Sequence, residues 1–365
     1  MAGHTEPMRL STIVSTPSSS DASSSNLANR ATFDVHGFRF SVQGNAEAAV
    51  EGIREDFRYF SSGPGRDDLT PDKTTVELLR ERPPLDCAPP GDALIYTPRN
   101  VVYRSGGKRY IDYHGRGLGI LDEAASNFRL FSEDTELLYE AAYLFLLSRI
   151  GQALDQRRLH RLHALGVELN GRAVVVLLPM GGGKSTLALH LMNLPGVRLL
   201  SDDSPWIDRA GRVLAYPLHI GLLPGSEQSV PEQNRRVIQR MEFGPKHLVN
   251  FSYFQERVCG SAEPGVVFIG ARTLLSECRI EEVGMAAALR PVIANGVIGL
   301  GLFQGLEFIL QSSALELFKK TGLGISRMSN CWRLLRRSRI CRVHLGRDAE
   351  LNARTILQFT RKLFS

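Results

Sequence analysis

Residues 174–178 are an unbroken apolar run, and after only Pro179 and Met180 come Gly181, Gly182, Gly183, Lys184, Ser185 and Thr186. A run with no polar alternation fits a strand covered on both faces of its sheet. Three glycines remove the Cβ atoms that keep backbone amides away from an anion. The following residues place Leu187, Ala188 and Leu191 on one face of a helix. The N-terminal end of such a helix presents partial positive charge to a bound anion. Residues 197–200 read as the next buried strand. Strand, glycine turn, helix and strand within about 30 residues make the βαβ unit on which phosphate-binding loops are built. The second half of the chain is therefore expected to be α/β.

In a loop of this kind the lysine, here Lys184, reaches the terminal phosphates, and the hydroxyl after it, here Ser185, ligates magnesium. The strict spacing G-x-x-x-x-G-K-[ST] asks for glycine at position 178, where this chain has Leu178. Ser201-Asp202-Asp203 lies at the end of the next expected strand, with Asp202 18 residues beyond Lys184. Two adjacent carboxylates beside a phosphate loop can divide two tasks. One holds magnesium directly or through water. The other accepts the proton of an attacking hydroxyl. In isolation the pair would read as a solvated turn before Pro205. His163 precedes a strand in Leu162-His163-Ala164-Leu165-Gly166-Val167, and its spacing alone does not set it apart from His114, His160 and His190.

Together these features resemble the HPr kinase/phosphorylase family and the wider group of HPr-kinase-like P-loop proteins, which share a core with PEP carboxykinases. The resemblance covers residues 160–220 well and extends loosely to 310. It rests on the Leu162-His163 pair 15 residues before Leu178, on the Gly-Lys-Ser loop and on the Asp pair. It implies an α/β P-loop nucleotide-binding core, PEP-carboxykinase-like, and says little about residues 31–150, whose own pattern reads as a smaller N-terminal α+β domain. It implies that Gly181, Gly182, Gly183, Lys184, Ser185 and Thr186 bind the phosphates of ATP, with Mg2+ held by Ser185 and Asp203. It implies that Asp202 is the base and that His163 sits beside the transferred phosphate. The family's Glu-x-Arg-Gly-Leu-Gly signature is absent after the Asp pair, where Ala215-Tyr216-Pro217-Leu218-His219 stands instead. The string Gly115-Arg116-Gly117-Leu118-Gly119 precedes the loop and is read as coincidence. A hydroxyl acceptor other than HPr, protein or small molecule, is the expected substrate.

The rest of the chain supplies context. Residues 1–30 are rich in Ser, Thr, Asn and Ala and cannot bury enough apolar area to offset their ordering entropy, so they are expected to be disordered. Residues 31–150 read as a small α+β accessory domain. It has two strands around Gly37, a helix over 46–60, a strand over 74–79 and a hairpin turning at Ser105-Gly106-Gly107. A helix over 135–154 is capped by Asp134. Residues 151–320 form the P-loop domain, with further strands over 213–216, 266–269 and 279–283. Residues 321–365 form a basic, mostly helical segment. Arg235, Arg236, Arg240 and the group Gly244-Pro245-Lys246-His247 are candidates to surround a γ-phosphate, although each reads more simply as surface charge. The same applies to Arg333, Arg336, Arg337, Arg339 and Arg342 as a site for an acidic partner.

The net charge of +6 is a mild excess and reads as a solvated surface, so no nucleic-acid partner is expected. The apolar stretches at 137–150 and 291–310 are short or interrupted by polar residues, so no membrane span is expected. Five scattered cysteines without a CxxC pair suit a reducing, cytoplasmic setting. A homo-oligomer is compatible with the family resemblance. Two readings compete. The first is an ATP-dependent kinase acting on a hydroxyl. The second is a nucleotide-gated binding protein with little turnover, which would use residues 31–150 to engage its partner.

Overall fold

The computed structural model describes residues 29–62, 74–88, 91–222, 230–241, 244–297 and 314–365. The expected disordered tail lies outside these residues, Asn29 and Arg30 apart, as does most of the stretch 291–310.

The first half is built on one eight-stranded mixed sheet. Its strands are β1 (Ala31–Val35), β2 (Phe38–Gly44), β3 (Thr74–Leu79), β4 (Ala93–Tyr96), β5 (Val101–Ser105), β6 (Lys108–Asp112), β7 (Leu118–Asp122) and β8 (Asn127–Phe131). They lie in the order 1-2-3-8-7-6-5-4, with β2, β3 and β8 parallel and every other pair antiparallel. Helix α1 (Glu47–Asp56) and helix α2 (Thr135–Gln156) pack with the sheet. Along β1 and β3, alternate residues are buried, as a one-sided sheet requires. Phe33, Phe40, Val76 and Phe128 of the sheet meet Ile53 of α1 and Phe145 and Ile150 of α2 in one apolar core. Trp206, Tyr216 and Leu218 belong to the same core, so it continues into the second half of the chain.

Asp134 caps α2 as expected, accepting from the amides of Glu136 and Leu137 at 3.0 and 3.1 Å. Asp134→Ala should lower stability by about 1 kcal/mol in urea unfolding, and Asp134→Asn should cost less because it keeps an acceptor. Equal losses in the two variants would show that the ion pair with Arg116, and not the cap, is what matters.

The second half continues with β9 (His160–Arg161), β10 (Leu165–Leu169), β11 (Arg172–Leu177), helix α3 (Lys184–Met192), β12 (Arg198–Ser201), β13 (Trp206–Ile207), β14 (Val213–Leu214), β15 (Ile220–Leu222), β16 (Arg235–Ile238) and β17 (Lys246–Val249). After these come β18 (Ser261–Arg272), β19 (Arg279–Glu282), helix α4 (Ala286–Val292), helix α5 (Ala314–Arg336), β20 (Arg339–Leu345) and helix α6 (Ala349–Phe364). Nine strands form one sheet with β11, β18 and β20 parallel at its centre. Strands β15, β17 and β16 form a separate antiparallel sheet. Leu187, Ala188 and Leu191 of α3 and Ala353, Ile356 and Leu357 of α6 share one core with these strands. The fold is mixed α/β.

One expectation is corrected. Strands β11 and β12 point the same way, as a βαβ unit requires, but they are not neighbours. Strand β10 lies between them and is antiparallel to both. The cause is local: Asn170 and Gly171 both take left-handed backbone at φ 52° and 78°, so the chain reverses tightly from β10 into β11. The tail is mostly helical, as expected, with α5 and α6 joined by strand β20, which pairs with β18 and β19. The basic cluster is thereby split. Arg337 pairs with Glu263, Arg339 with Glu282 and Arg342 with Glu281.

Helix α5 is tied down beside α2. His160 bonds Asp155 through Nδ1 and Ser326 through Nε2, both at 2.8 Å, and Arg327 also pairs with Asp155. Among the described residues no helix is long and apolar enough to cross a membrane.

Candidate functional site

The glycine loop joins β11 to α3. Gly181 and Gly183 take left-handed backbone at φ 73° and 92°, which side chains disfavour. A Cβ on Gly182 would stand 2.9 Å from the Pro179 carbonyl oxygen. Leu178, in place of the consensus glycine, is 1% exposed and packs on Gly270 of β18. Its side chain belongs to the core, and its Cβ is one of the atoms that crowd Gly182.

Lys184 is the first residue of α3 and is 6% exposed. Its Nζ donates to the carbonyls of Leu178 and Pro179 at 3.0 and 3.3 Å and to His163 Nε2 at 3.0 Å. It lies 3.8 Å from Asp203 Oδ1. Burial pushes the Lys184 ammonium below its ordinary value, while Asp203 and Asp202 pull it back.

His163 is held by backbone pairing of its segment with the stretch after β12. The amides of Leu162 and Ala164 donate to the carbonyls of Pro205 and Asp203, and its own amide donates to Asn295. Its Nδ1 lies 3.2 Å from Asp203 Oδ1. Lys184 can only donate, so the two partners assign the proton to Nδ1 and the lone pair to Nε2. His163 thus positions the lysine and the carboxylate.

The Asp pair is split by environment. Asp202 is 8% exposed and accepts from the Ser185 hydroxyl at 3.0 Å. Burial, reinforced by the charge of Asp203, pushes its carboxyl up to about 7. Asp203 is half exposed. Burial alone would raise it too, but the hydrogen bond from His163 and the charges of Lys184 and Lys246 hold it below the usual carboxylate range. Neighbouring titratable groups driven apart in this way mark one for proton transfer and one for a fixed charge.

These groups open on a cavity of about 760 Å³. Its floor carries Gly181, Ser185, Asp202, Asp203 and His163, and one wall comes from Tyr139, Tyr143 and Leu147 of α2. The facing wall is the small sheet, with Lys246 and His247 of β17 and Arg240 nearby. Lys246 and Arg240 are therefore cavity residues and not plain surface charge. Arg236 instead pairs with the buried Asp56. Arg272, at the end of β18, brings a guanidinium nitrogen to 2.8 Å from where a Cβ on Gly183 would stand. Sequence reading missed Arg272, Asp56 and His219. The end of a buried strand running parallel to β11 is the signal that points to Arg272.

The residues suit a nucleotide with magnesium. Mg2+ takes oxygen ligands and usually keeps phosphate oxygens and waters among them. The Ser185 hydroxyl and the Asp carboxylates are such oxygens. Among the described residues no group of three or more His, Cys, Asp and Glu could hold a metal alone, so phosphate oxygens would complete the shell.

No protein-family model matches the chain, and no curated protein matches its sequence. The solved structure of the Hpr(Ser) kinase/phosphatase from Coxiella burnetii is similar over 34% of this chain and 77% of that one, at 16% identity and a TM-score of 0.20. At that TM-score the overlap defines neither fold nor activity, and the site itself carries the functional reading.

Proposed function

We propose that this chain is a phosphotransferase that uses ATP and Mg2+ to phosphorylate a hydroxyl group, on a P-loop core of the PEP-carboxykinase-like kind. One observation carries the reading: Asp202, a buried carboxylate pushed up to about 7, accepts from Ser185 beside the glycine loop and Lys184. When bound, ATP supplies the phosphoryl group and Mg2+ offsets its charge.

The chain's own groups then have separate tasks. The amides of residues 181–186 and the N-terminal end of α3 bind phosphate oxygens. Lys184 neutralises the terminal phosphates, Arg272 adds positive charge beside the glycine loop, and Lys246 adds it from the cavity wall, as a transferring phosphoryl group requires. Ser185 and Asp203 orient the metal. Asp202 takes the proton from the acceptor hydroxyl. Its buried carboxylate, hydrogen-bonded by Ser185 beside the loop, supports that role.

A protein that only binds nucleotide has no need of a buried base, which counts against the nucleotide-gated module. Adding EDTA in excess should reduce ADP release to background, and restoring Mg2+ should return it. ADP release that persists in EDTA would contradict the metal-dependent reading.

A further inference from the structure

The inner end of the cavity carries side chains that the phosphoryl-transfer groups leave unused. Asp56, at the end of α1, is fully buried. Its carboxylate accepts from the Tyr139 hydroxyl at 2.6 Å and from His219 Nδ1 at 2.7 Å, and it pairs with Arg236. The Nδ1–H of His219 is thereby committed, which leaves the lone pair on Nε2. His219 lines the cavity with Asp202 and Lys246, and among the described residues no hydrogen bond engages Nε2. Burial holds the imidazole below its ordinary value although Asp56 pulls the other way. Nε2 is then a hydrogen-bond acceptor at neutral pH.

A second residue lines the same space. Tyr216 is 2% exposed and lines the cavity, and its hydroxyl has no hydrogen-bond partner among the described residues. Buried polar atoms are nearly always engaged, so an orphaned hydroxyl at a cavity wall points to a ligand. The Tyr143 ring stands 5.4 Å from the His219 ring and gives a flat apolar wall. A molecule with several O–H groups can donate to the Nε2 lone pair and lay an apolar face on the Tyr143 ring, while Lys246 and Arg240 of the same cavity disfavour a cation.

We propose that this inner end is an acceptor subsite, in which His219, held by Asp56, and Tyr216 bind a neutral polyol of the sugar or sugar-alcohol class and turn one of its hydroxyls towards Asp202. The proposal rests on the phosphotransferase reading and names its acceptor class. The step balances. The polyol oxygen bonds to the γ-phosphorus as the bond from that phosphorus to the β,γ-bridging oxygen breaks. ADP leaves with the electron pair, and the hydroxyl proton passes to Asp202.

The test uses the full chain with Mg·ATP and, in turn, glycerol, ribitol and myo-inositol. ADP release is followed together with phosphorus NMR for a phosphate monoester. At least one polyol should raise ADP release above the water background and give the monoester. His219→Ala should raise its half-saturating concentration roughly threefold to tenfold, the scale of one lost neutral hydrogen bond, with ATP half-saturation changed by less than about twofold. His219→Gln keeps an acceptor oxygen and should recover part of the loss, which excludes simple misfolding. The proposal is overturned if no polyol raises ADP release while ATP binds, or if His219→Ala leaves polyol half-saturation unchanged. Failure of the parent protein to bind Mg·ATP overturns the phosphotransferase reading itself.

Discussion

Asp202→Asn is expected to cut phosphoryl transfer roughly 10²–10⁴-fold, the scale of a lost general base, while Mg·ATP still binds. The same change should stabilise the metal-free fold. Folded Asp202 titrates near 7, against 3.8 for an ordinary aspartate. Between these values the folded chain holds a proton that the unfolded chain has released. The group's contribution to stability is therefore complete below the unfolded value and is lost as pH rises towards 7. Asparagine has no such proton. In EDTA, the variant should exceed the parent by about 1–3 kcal/mol at about pH 8, and the gap should close towards about pH 4. Urea unfolding at several pH values reads this directly. A parent as stable as the variant at the alkaline end would show that Asp202 titrates normally and would remove its role as a tuned base.

Lys184→Ala is expected to weaken Mg·ATP binding by roughly tenfold to a hundredfold, the scale of a lost charge-assisted hydrogen bond. The loss extends beyond the lysine. Nζ also holds His163 Nε2 and lies near Asp203, so its removal loosens both His163 and the carboxylate proposed to orient the metal. Lys184→Arg should not restore binding. The ammonium is 6% exposed between two carbonyls and an imidazole, and a planar guanidinium does not fit that space. Equal calorimetric ATP titrations for Lys184→Ala and the parent would remove the phosphate-loop assignment.

Much of the site was legible from local pattern. An apolar strand, left-handed glycines and the following helix are properties of a few contiguous residues. The loop, Lys184, Ser185 and the Asp pair therefore emerge from spacing alone. The Asp134 cap and the hairpin at Gly106-Gly107 are local in the same sense. What escaped was long-range. Asp56 and His219 are separated by 163 residues, so no spacing announces them. The insertion of β10 depends on the turn at Asn170-Gly171, a hairpin signal that was present but not used. Strand β20 was hidden because Arg339 and Arg342 look like a helix face, and only pairing with β18 and with β19, whose Glu282 and Glu281 meet them, makes them strand residues. Lys246 and Arg240 read as surface charge until the small sheet and the turn within it bring them to the cavity. Leu178 looked like a defect in the motif and is in fact a core side chain.

The most direct test of the central claim is label transfer from γ-labelled ATP. The parent protein and Asp202→Asn are each incubated with labelled ATP, Mg2+ and a lysate of the source organism, and labelled proteins and metabolites are separated. Phosphotransferase action predicts a labelled species that appears with the parent and disappears with the variant, although both bind ATP. ATP binding by both proteins with no labelled acceptor in either would contradict it and leave a nucleotide-gated binding protein as the reading.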